Sequence, residues 1–131
     1  MEIKTLGEGE ILFRQGDPGD CMYEVYFGRI GVYSKFGTPE QKLLAEYGQD
    51  KTFGEMGLLE HAPRSATAVA LDDETSVAVV TEETFGEYFV KNPPRVLMLM
   101  QQMCGNLRRR TKEYMELCGE IRELAGKEAQ K

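Results

Sequence analysis

The sequence predicts a mainly β fold with helices, of the α+β class, in which a β-rich part over residues 1–80 precedes a helical part over residues 81–127. Two observations predict it. Turn signals recur at short spacing through the first part, and the hydrophobic residues of the second part follow a helical period. A chain of 131 residues suits one domain with one modest core, so we expect a single domain.

Short runs rich in β-branched and aromatic residues separate the turns. Several of them alternate apolar with polar residues, which is the period of a half-buried strand. The turns fall at Gly7–Gly9, Gly16–Asp20, Gly28, Gly31, Gly37–Pro39 and Gly48. The strand candidates are residues 11–14, 21–27, 29–36, 42–47, 65–70 and 75–80. Many short strands with frequent turns favour a sandwich, a jelly roll or a barrel.

Two helices are predicted in the second part. Thr81 offers a capping hydroxyl and two glutamates follow it, which indicates a short helix over residues 82–90. Asn92 offers a second cap, and Pro93 suits the first position of a helix. The helical period then continues, so a long helix is expected over residues 93–124.

The long helix carries a heptad pattern. Its two rows are apolar at seven of eight positions, and the rows are Met100, Leu107, Tyr114, Ile121 and Met103, Arg110, Leu117, Leu124. Such a seam indicates an amphipathic helix with coiled-coil potential. We therefore expect a homodimer through residues 93–124, in which Cys104 and Cys118 share a helix face near the seam.

Composition excludes several function classes. The net charge is −6, and phosphate neutralisation needs a basic surface, so we expect no non-specific contact with nucleic acid or an anionic membrane. No signal-peptide core and no membrane-spanning run are present, and Cys21, Cys104 and Cys118 form no disulfide set. These features predict a cytoplasmic protein. The single histidine, His61, cannot build the site of a cupin-like metal enzyme.

One stretch, FGEMGLLEHAPRSATAVA at residues 53–70, has the chemistry of an anion site. Gly54 and Gly57 allow the backbone to approach a ligand closely. Residues 55–60 can form one or two helical turns with unpaired N–H groups at their start. Arg64 adds a planar fork that suits phosphate oxygens.

Glu55 is an unusual neighbour for a phosphate, because like charges repel. It fits if its carboxylate points at a neutral hydroxyl, and a ribose 2′-OH is such a donor. The constellation therefore suits a small molecule with a phosphate beside a sugar hydroxyl. The alternative is a surface salt bridge between Glu55 and Arg64 beside a tight turn, and the residue types leave both interpretations open.

The same stretch resembles the phosphate-binding cassette of cyclic nucleotide-binding domains, the family of Crp/Fnr-type bacterial regulators, protein kinase A regulatory subunits and cyclic-nucleotide-gated channels. The likeness extends over nearly the whole chain and includes Gly9-Glu10, Gly16-Asp17, Gly19-Asp20, Met22-Tyr23 and Gly28. It implies a β-roll or jelly roll flanked by short helices, plus a long C-terminal helix that covers the pocket.

The resemblance also implies roles for individual residues. Arg64 would pair with the cyclic phosphate of cAMP or cGMP, and Glu55 would accept a hydrogen bond from the ribose 2′-OH. The implied ligand site comprises Gly54, Glu55, Met56, Gly57, Leu58, Arg64, Ser65 and Ala66. Arg110 and Thr111 on the long helix are weaker candidates for contact with the purine.

Two positions depart from the pattern of the family. Asp50-Lys51 stands where the family usually has Gly-Asp, and aspartate tolerates the left-handed conformation that glycine would supply. Gly57 stands where alanine or serine is commoner. That glycine should loosen the short helix, because glycine disfavours helix interiors.

The resemblance implies a regulatory domain that senses cAMP or cGMP and changes its helix arrangement on binding, in a Crp/Fnr-like signalling or transcription-regulatory system. It implies no catalysis and no prosthetic group, and a protein partner is expected to receive the output. No helix-turn-helix domain follows the long helix, so we expect no DNA binding by this chain alone. The alternative is a β-roll interaction module whose pocket is empty or takes a different small anion.

Overall fold

A computed structural model describes residues 1–129, with the side chains of residues 1–127. Its elements are β1 (Glu2–Leu6), β2 (Ile11–Phe13), β3 (Cys21–Phe27), β4 (Ile30–Ser34), β5 (Lys42–Tyr47), β6 (Thr52–Phe53), α1 (Glu55–Glu60), β7 (Thr67–Ala70), β8 (Thr75–Thr81), α2 (Glu82–Lys91) and α3 (Pro93–Ala129). The chain divides into a β-rich part, Met1–Lys91, and a helical part that begins at Asn92.

The strands of the described chain form two four-stranded antiparallel sheets, in the orders β1-β8-β3-β6 and β2-β7-β4-β5. In the first sheet, Tyr23 of β3 lies opposite Val79 of β8 on one side and Phe53 of β6 on the other. In the second sheet, Val69 of β7 lies opposite Ile11 of β2 and Gly31 of β4. The β-roll or jelly-roll prediction, with short helices and a long C-terminal helix, is confirmed.

Side chains from both sheets build one apolar core. Val25 and Val77 of the first sheet and Ile30 and Ala68 of the second sheet are fully buried. Burying a valine or isoleucine side chain contributes about 1.5–3 kcal/mol, so a shared core holds the sheets together. This core fixes the ends of the strands from which the functional loops begin.

Four aromatic rings form a column beside this core, which we call the aromatic column: Tyr47, Phe53, Tyr23 and Phe13. The centroids of Tyr47 and Phe53 are 5.4 Å apart, and those of Phe53 and Tyr23 are also 5.4 Å apart. The centroids of Tyr23 and Phe13 are 5.8 Å apart. The column therefore runs from β5 through the first sheet to β2, because its rings come from both sheets.

Two strands were not predicted. β1 exposes four of its five residues and buries only Leu6, so its sequence lacks the hydrophobic alternation of a strand. It forms because its backbone pairs along β8, from Glu2 opposite Val79 to Leu6 opposite Thr75. β6 has two residues, which are too few to show any period.

Both predicted helices of the second part are present. α2 begins after Thr81, and the Thr81 and Thr84 side chains cap each other's backbone. The Thr81 N–H donates to Thr84 Oγ1 over 2.9 Å, and the Thr84 N–H donates to Thr81 Oγ1 over 3.3 Å. α3 begins at Pro93 as expected and continues to Ala129, beyond the predicted end at residue 124.

α2 is tied to the first sheet by a buried polar contact. Tyr88 on α2 donates its hydroxyl hydrogen to the carboxylate of Glu24 on β3. Both side chains are buried, with exposed fractions of 3% and 1%. A buried carboxylate needs hydrogen-bond donors, so this contact constrains where α2 can lie on the sheet.

α3 exposes much of its heptad seam. Leu107, Tyr114, Leu117, Ile121 and Leu124 are each between 54% and 66% exposed. Cys21 is buried, whereas Cys104 is exposed and Cys118 is half-buried. Although α3 is 37 residues long, neither it nor another helix within residues 1–129 has the apolar stretch needed to cross a bilayer.

Arg29 joins three surface segments of the β-rich part. Its Nε and Nη2 donate to the Asp72 carboxylate over 2.9 and 2.8 Å, and its Nη1 donates to Glu46 over 2.7 Å. The hydrogen bonds from Arg29 lower the pKa of Asp72, because they favour the ionised carboxylate. The network links the start of β4 to the end of β5 and to the turn before β8.

Asp72→Asn is expected to lower the free energy of unfolding at pH 7. A depressed pKa in the folded state stabilises the fold above the unfolded value of about 3.9. That contribution is lost as the pH falls through the folded pKa. Urea unfolding between pH 7 and pH 2 should therefore show the gap between wild type and variant closing below about pH 4. Glu113→Gln is the control. A difference in the free energy of unfolding between wild type and Asp72→Asn that is the same at pH 7 and at pH 2 would contradict the expectation.

Gly28→Ala is expected to destabilise the turn between β3 and β4. Gly28 has φ 78°, and an added Cβ would lie 2.5 Å from Oγ1 of the fully buried Thr75. The matched control is Gly37→Ala, which has φ 81° but no atom within 4 Å of its Cβ. By urea unfolding, we expect a loss of about 2–4 kcal/mol at position 28 and about 1–2 kcal/mol at position 37. Equal losses at the two positions would show that Thr75 moves away from the added Cβ without lowering the free energy of unfolding.

Candidate functional site

The segment between β6 and β7 contains all the main residues of the predicted ligand site. β6 belongs to the first sheet and β7 to the second, so residues 54–66 bridge the two sheets. α1 occupies the middle of the segment, as predicted for residues 55–60. Gly54 with φ 75° precedes it and His61 with φ 51° ends it, so both flanking residues are left-handed. Glycine suits the first of these positions because it lacks a Cβ.

Arg64 lies at the centre of this segment and is buried, with 7% of its surface exposed. Its Nη1 donates to the Gly54 carbonyl over 3.0 Å, and its Nη2 donates to the Cys21 carbonyl over 2.9 Å. Nη2 also lies 3.4 Å from the Cys21 Sγ. Its Nε is buried and has no hydrogen-bond partner among the residues that the structure describes. The protein thus satisfies part, but not all, of the donor capacity of this guanidinium.

The backbone of Arg64 is also held by hydrogen bonds. Its N–H donates to the Asp17 carbonyl over 2.8 Å, and its carbonyl accepts from the Gly16 N–H over 2.8 Å. These two bonds attach residue 64 to the turn between β2 and β3. The turn that the sequence predicts at Gly16-Asp17 therefore holds the backbone of Arg64 in place.

The end of the aromatic column packs against the guanidinium. The Arg64 Cζ lies 4.5 Å from the centroid of the Phe13 ring and 5.5 Å from that of Tyr23. These are cation–π distances, which favour a positive charge over the ring face. Burial, together with a hydrogen bond to Cys21, raises the pKa of the Tyr23 phenol above its usual value, so the ring stays neutral beside the cation.

The other predicted ligand residues differ in how deeply they are buried. Glu55 and Gly54 are half-buried, Gly57, Leu58 and Ala66 are buried, and Met56 and Ser65 are exposed. The Gly57 N–H donates to the Gly54 carbonyl over 3.1 Å, so this carbonyl accepts from both Gly57 and Arg64. The Gly54 carbonyl is therefore the point at which the start of α1 and the Arg64 guanidinium meet.

The structure tests two predictions about residues near Arg64. Asp50 has φ 70°, which is the left-handed conformation that its aspartate was expected to tolerate. The alternative of a Glu55–Arg64 surface salt bridge is wrong for the described residues. Arg64 is buried and donates to backbone carbonyls, and no ion pair joins it to Glu55 within residues 1–127.

Arg110 and Thr111, the weaker candidates for contact with a purine, lie on α3 in the helical part of the chain. Both side chains are exposed. Arg110 is the one polar residue in its heptad row, whose other members are Met103, Leu117 and Leu124. Their role stays a prediction.

Three residues that contact the Arg64 side chain were not predicted as site residues: Phe13, Cys21 and Tyr23. Cys21 is buried, and its carbonyl and Sγ face the guanidinium. Phe13 and Tyr23 were assigned only to strands. No local pattern could have identified these contacts, because each residue lies more than 40 positions from Arg64 in the sequence.

An open cavity of about 550 Å³ lies near the C-terminal end of α1, lined by Asp20, His61, Thr81, Glu82 and Glu83. His61 Nε2 is 3.5 Å from Glu82 Oε2 across it. Three carboxylates disfavour an anion there, so this cavity is separate from the candidate phosphate site. Within the described residues, no group of three or more histidine, cysteine, aspartate or glutamate side chains is placed to hold a metal ion.

Comparison with known proteins gives relatives of several kinds. The human patatin-like phospholipase domain-containing protein 6 is 35% identical over 103 residues, which is 76% of this chain but 7% of that protein. The cyclic AMP receptor protein of Thermus thermophilus is 36% identical over 76 residues, which is 58% of this chain and 35% of that protein. The chain thus spans only a small part of the relatives it matches.

Solved structures share the fold. The catabolite activator protein of Thermus thermophilus superposes with a TM-score of 0.75 at 28% identity, over 88% of this chain and 54% of that one. The cAMP-bound form of the EAL enzyme Bd1971 gives a TM-score of 0.60 at 32% identity, over 84% of this chain and 29% of that one. A profile of the cyclic nucleotide-binding domain matches residues 3–92. This chain therefore belongs to the cyclic nucleotide-binding domain family.

Proposed function

We propose that this chain senses a cyclic nucleotide, cAMP or cGMP, as a regulatory domain of a Crp/Fnr-like signalling or transcription-regulatory system, and that it has no catalytic activity of its own. The observation that carries the proposal is the buried Arg64. A guanidinium held beside two glycines of a tight turn is suited to an anion that approaches the backbone closely.

Arg64 retains hydrogen-bonding capacity for such an anion. A guanidinium has five N–H donors, and the contacts to Gly54 and Cys21 leave Nε–H and one Nη1–H without an assigned acceptor within the described residues. A cyclic phosphate supplies oxygen acceptors, and hydrogen bonds between two charged groups are the strong ones. The neighbouring aromatic rings exclude water and so strengthen the attraction.

Glu55 is the proposed acceptor for the ribose 2′-OH. It is half-buried at the first position of α1, on the same turn as Gly54. A carboxylate close to the phosphate is acceptable only if it faces a hydroxyl, and the sugar ring of a cyclic nucleotide places a hydroxyl beside its phosphate. Gly57, Leu58, Ser65 and the rest of the segment would complete the shell, as the resemblance implies.

Both cAMP and cGMP are candidate ligands, and they differ in the purine base. One relative, the EAL enzyme Bd1971, is described in a cAMP-bound form and in a cGMP-bound form, each at 32% identity. Arg110 and Thr111 are the proposed contacts to the purine. The signal would be a shift between two helix arrangements, limited by the difference in ligand affinity between them.

Arg64→Ala is expected to abolish or strongly weaken nucleotide binding. Losing a charged hydrogen bond costs about 1.5–3 kcal/mol, so the dissociation constant should rise by roughly 10- to 150-fold. Isothermal titration of the wild type and the variant with cAMP and with cGMP measures this change, and the tighter ligand identifies the signal. Circular dichroism should first establish that the variant is folded, because Arg64 is buried.

Two controls separate the role of the guanidinium from that of charge in general. Arg122→Ala removes the same side chain from an exposed position on α3 and should bind as the wild type does. Arg64→Lys keeps the charge but loses the planar fork, so its affinity should fall between the other two. Absence of heat with both nucleotides, in folded wild-type protein free of copurified ligand, would favour the interaction module or a different small anion.

We also propose that the chain forms a parallel homodimer through α3. The exposed apolar residues recur every seven positions along a 37-residue helix, and a second copy of the same helix presents the same seam at the same spacing. Glutamates and arginines flank the rows, which suits the polar edges of a helix pair.

Leu117→Glu is expected to convert the dimer to a monomer, because it places a charge in the middle of the apolar seam. Sedimentation equilibrium should give about twice the 14.8 kDa chain mass for the wild type and the chain mass for the variant. Glu116→Gln, on the adjacent polar face, should leave the dimer intact. A wild-type chain that sediments as a monomer at micromolar concentration would contradict the proposed seam.

A further inference from the structure

A carboxylate is buried between the first sheet and α2. Glu24 of β3 is 1% exposed, and Tyr88 of α2, which is 3% exposed, donates its hydroxyl hydrogen to it. The cross-strand neighbours of Glu24 are Ala78 of β8 and Thr52 of β6, which are both buried and uncharged. Burying a carboxylate is costly unless hydrogen bonds replace those that it made with water, so the Tyr88 hydroxyl contributes to holding α2 on the sheet.

α2 buries few of its own side chains. Within its ten residues, all of which the structure describes, only Tyr88 and Phe89 are buried, and Val90 is 79% exposed. The ring centroids of Tyr88 and Phe89 are 4.9 Å apart and those of Phe85 and Phe89 are 4.4 Å apart, both in edge-to-face contact. The position of α2 therefore depends on a small aromatic cluster, Phe85, Tyr88 and Phe89, and on the one hydroxyl in that cluster.

The polar contact makes intermediate positions of α2 unfavourable. If α2 slid or turned on the sheet, apolar side chains could repack with modest losses. The Glu24 carboxylate has no such freedom, because a displaced Tyr88 would leave it buried with one donor fewer, and that costs more than the hydrogen bond itself. Two arrangements avoid this cost: α2 docked with the hydrogen bond made, or α2 displaced far enough for water to reach the carboxylate.

We propose that the Glu24–Tyr88 hydrogen bond is a latch that gives α2 two discrete states, docked on the first sheet or released from it with the carboxylate in water. An element with two discrete arrangements is what turns a binding event into a signal. α2 ends at Lys91 and α3 begins at Pro93, so α2 is the covalent link between the β-rich part and the long helix. The place of the latch in signalling rests on the proposed function, whereas the latch itself needs no nucleotide.

Native-state hydrogen exchange of the wild-type chain tests for two states without any ligand. The amides over residues 86–91 should exchange through one shared opening, with protection factors that agree within about threefold. Their protection should be at least roughly tenfold below that of the amides in β3 and β8, because α2 is released while the sheet stays intact. Protection that falls gradually along α2 toward one end would indicate fraying and would overturn the inference.

Tyr88→Phe removes the donor and keeps the ring. It should lower the protection factors over residues 86–91 by one common factor, about tenfold, because it destabilises only the docked state. Tyr33→Phe is the matched control: it removes a hydroxyl from the half-buried Tyr33 of β4 in the second sheet and should leave these protection factors within about twofold of the wild type. A loss confined to the amides next to residue 88 would contradict the latch.

A double variant separates the latch from ordinary packing. Glu24→Leu combined with Tyr88→Phe replaces the polar pair with apolar side chains of similar size, so the thermal midpoint should equal or exceed that of either single variant. The apolar contact can repack, so the protection factors over residues 86–91 should no longer share one value. If they stay uniform in the folded double variant, the aromatic cluster alone makes docking two-state and the inference is wrong.

Hydrogen exchange with saturating cAMP or cGMP, whichever binds more tightly in the titration, tests the place of the latch in signalling. The shared protection factor over residues 86–91 should change by at least about fivefold, because a ligand that signals through α2 must prefer one of its two states. If a nucleotide binds and this value does not change, the latch has no part in signalling and the proposed binding function stands. If neither nucleotide binds, the proposed function fails, and the exchange without ligand still decides whether the latch exists.

Discussion

The burial of one guanidinium is the constraint on which the site depends. A cation removed from water is costly unless its donors are satisfied, and the Arg64 donors are met chiefly by backbone carbonyls at Gly54 and Cys21. Those carbonyls belong to the turn before α1 and to the start of β3. The two segments are distant in the sequence, and both must be in place before Arg64 can be buried. The cation therefore links the segment between β6 and β7 to the first sheet.

The packing around this cation connects it to both sheets. Phe13 and Tyr23 place ring faces against Arg64, and the same rings continue through Phe53 to Tyr47. A displacement of Arg64 would disturb an aromatic column that reaches both sheets. The backbone bonds to Gly16 and Asp17 add a second attachment, independent of the side chain. Side chain and backbone therefore hold Arg64 in one position between the two sheets.

The comparisons place this arrangement among proteins with different overall activities. The chain matches 7% of a human protein named for a phospholipase domain and 35% of a bacterial cyclic AMP receptor protein. A domain that occurs in such different contexts is best understood through its site, because a fold by itself does not specify an activity. In this chain the candidate site consists of the segment between β6 and β7, the Gly16-Asp17 turn, and residues of β2 and β3 that contact Arg64.

The order of the six predicted strands, the helix over residues 55–60 and the N-terminal ends of α2 and α3 could all be read from the sequence. Glycine, proline and capping residues act locally, so Thr81, Pro93 and the turn glycines could be read without a structure. β1 was not predicted because its strand depends on pairing with the backbone of β8. The contacts of Arg64 with Phe13, Cys21 and Tyr23 were not predicted because they join residues more than 40 positions apart. Folding brings the Cys21 carbonyl against the guanidinium and pairs β1 with β8. Steric fit and burial of charge are properties of neighbours in space, and the order of residues along a chain does not contain them.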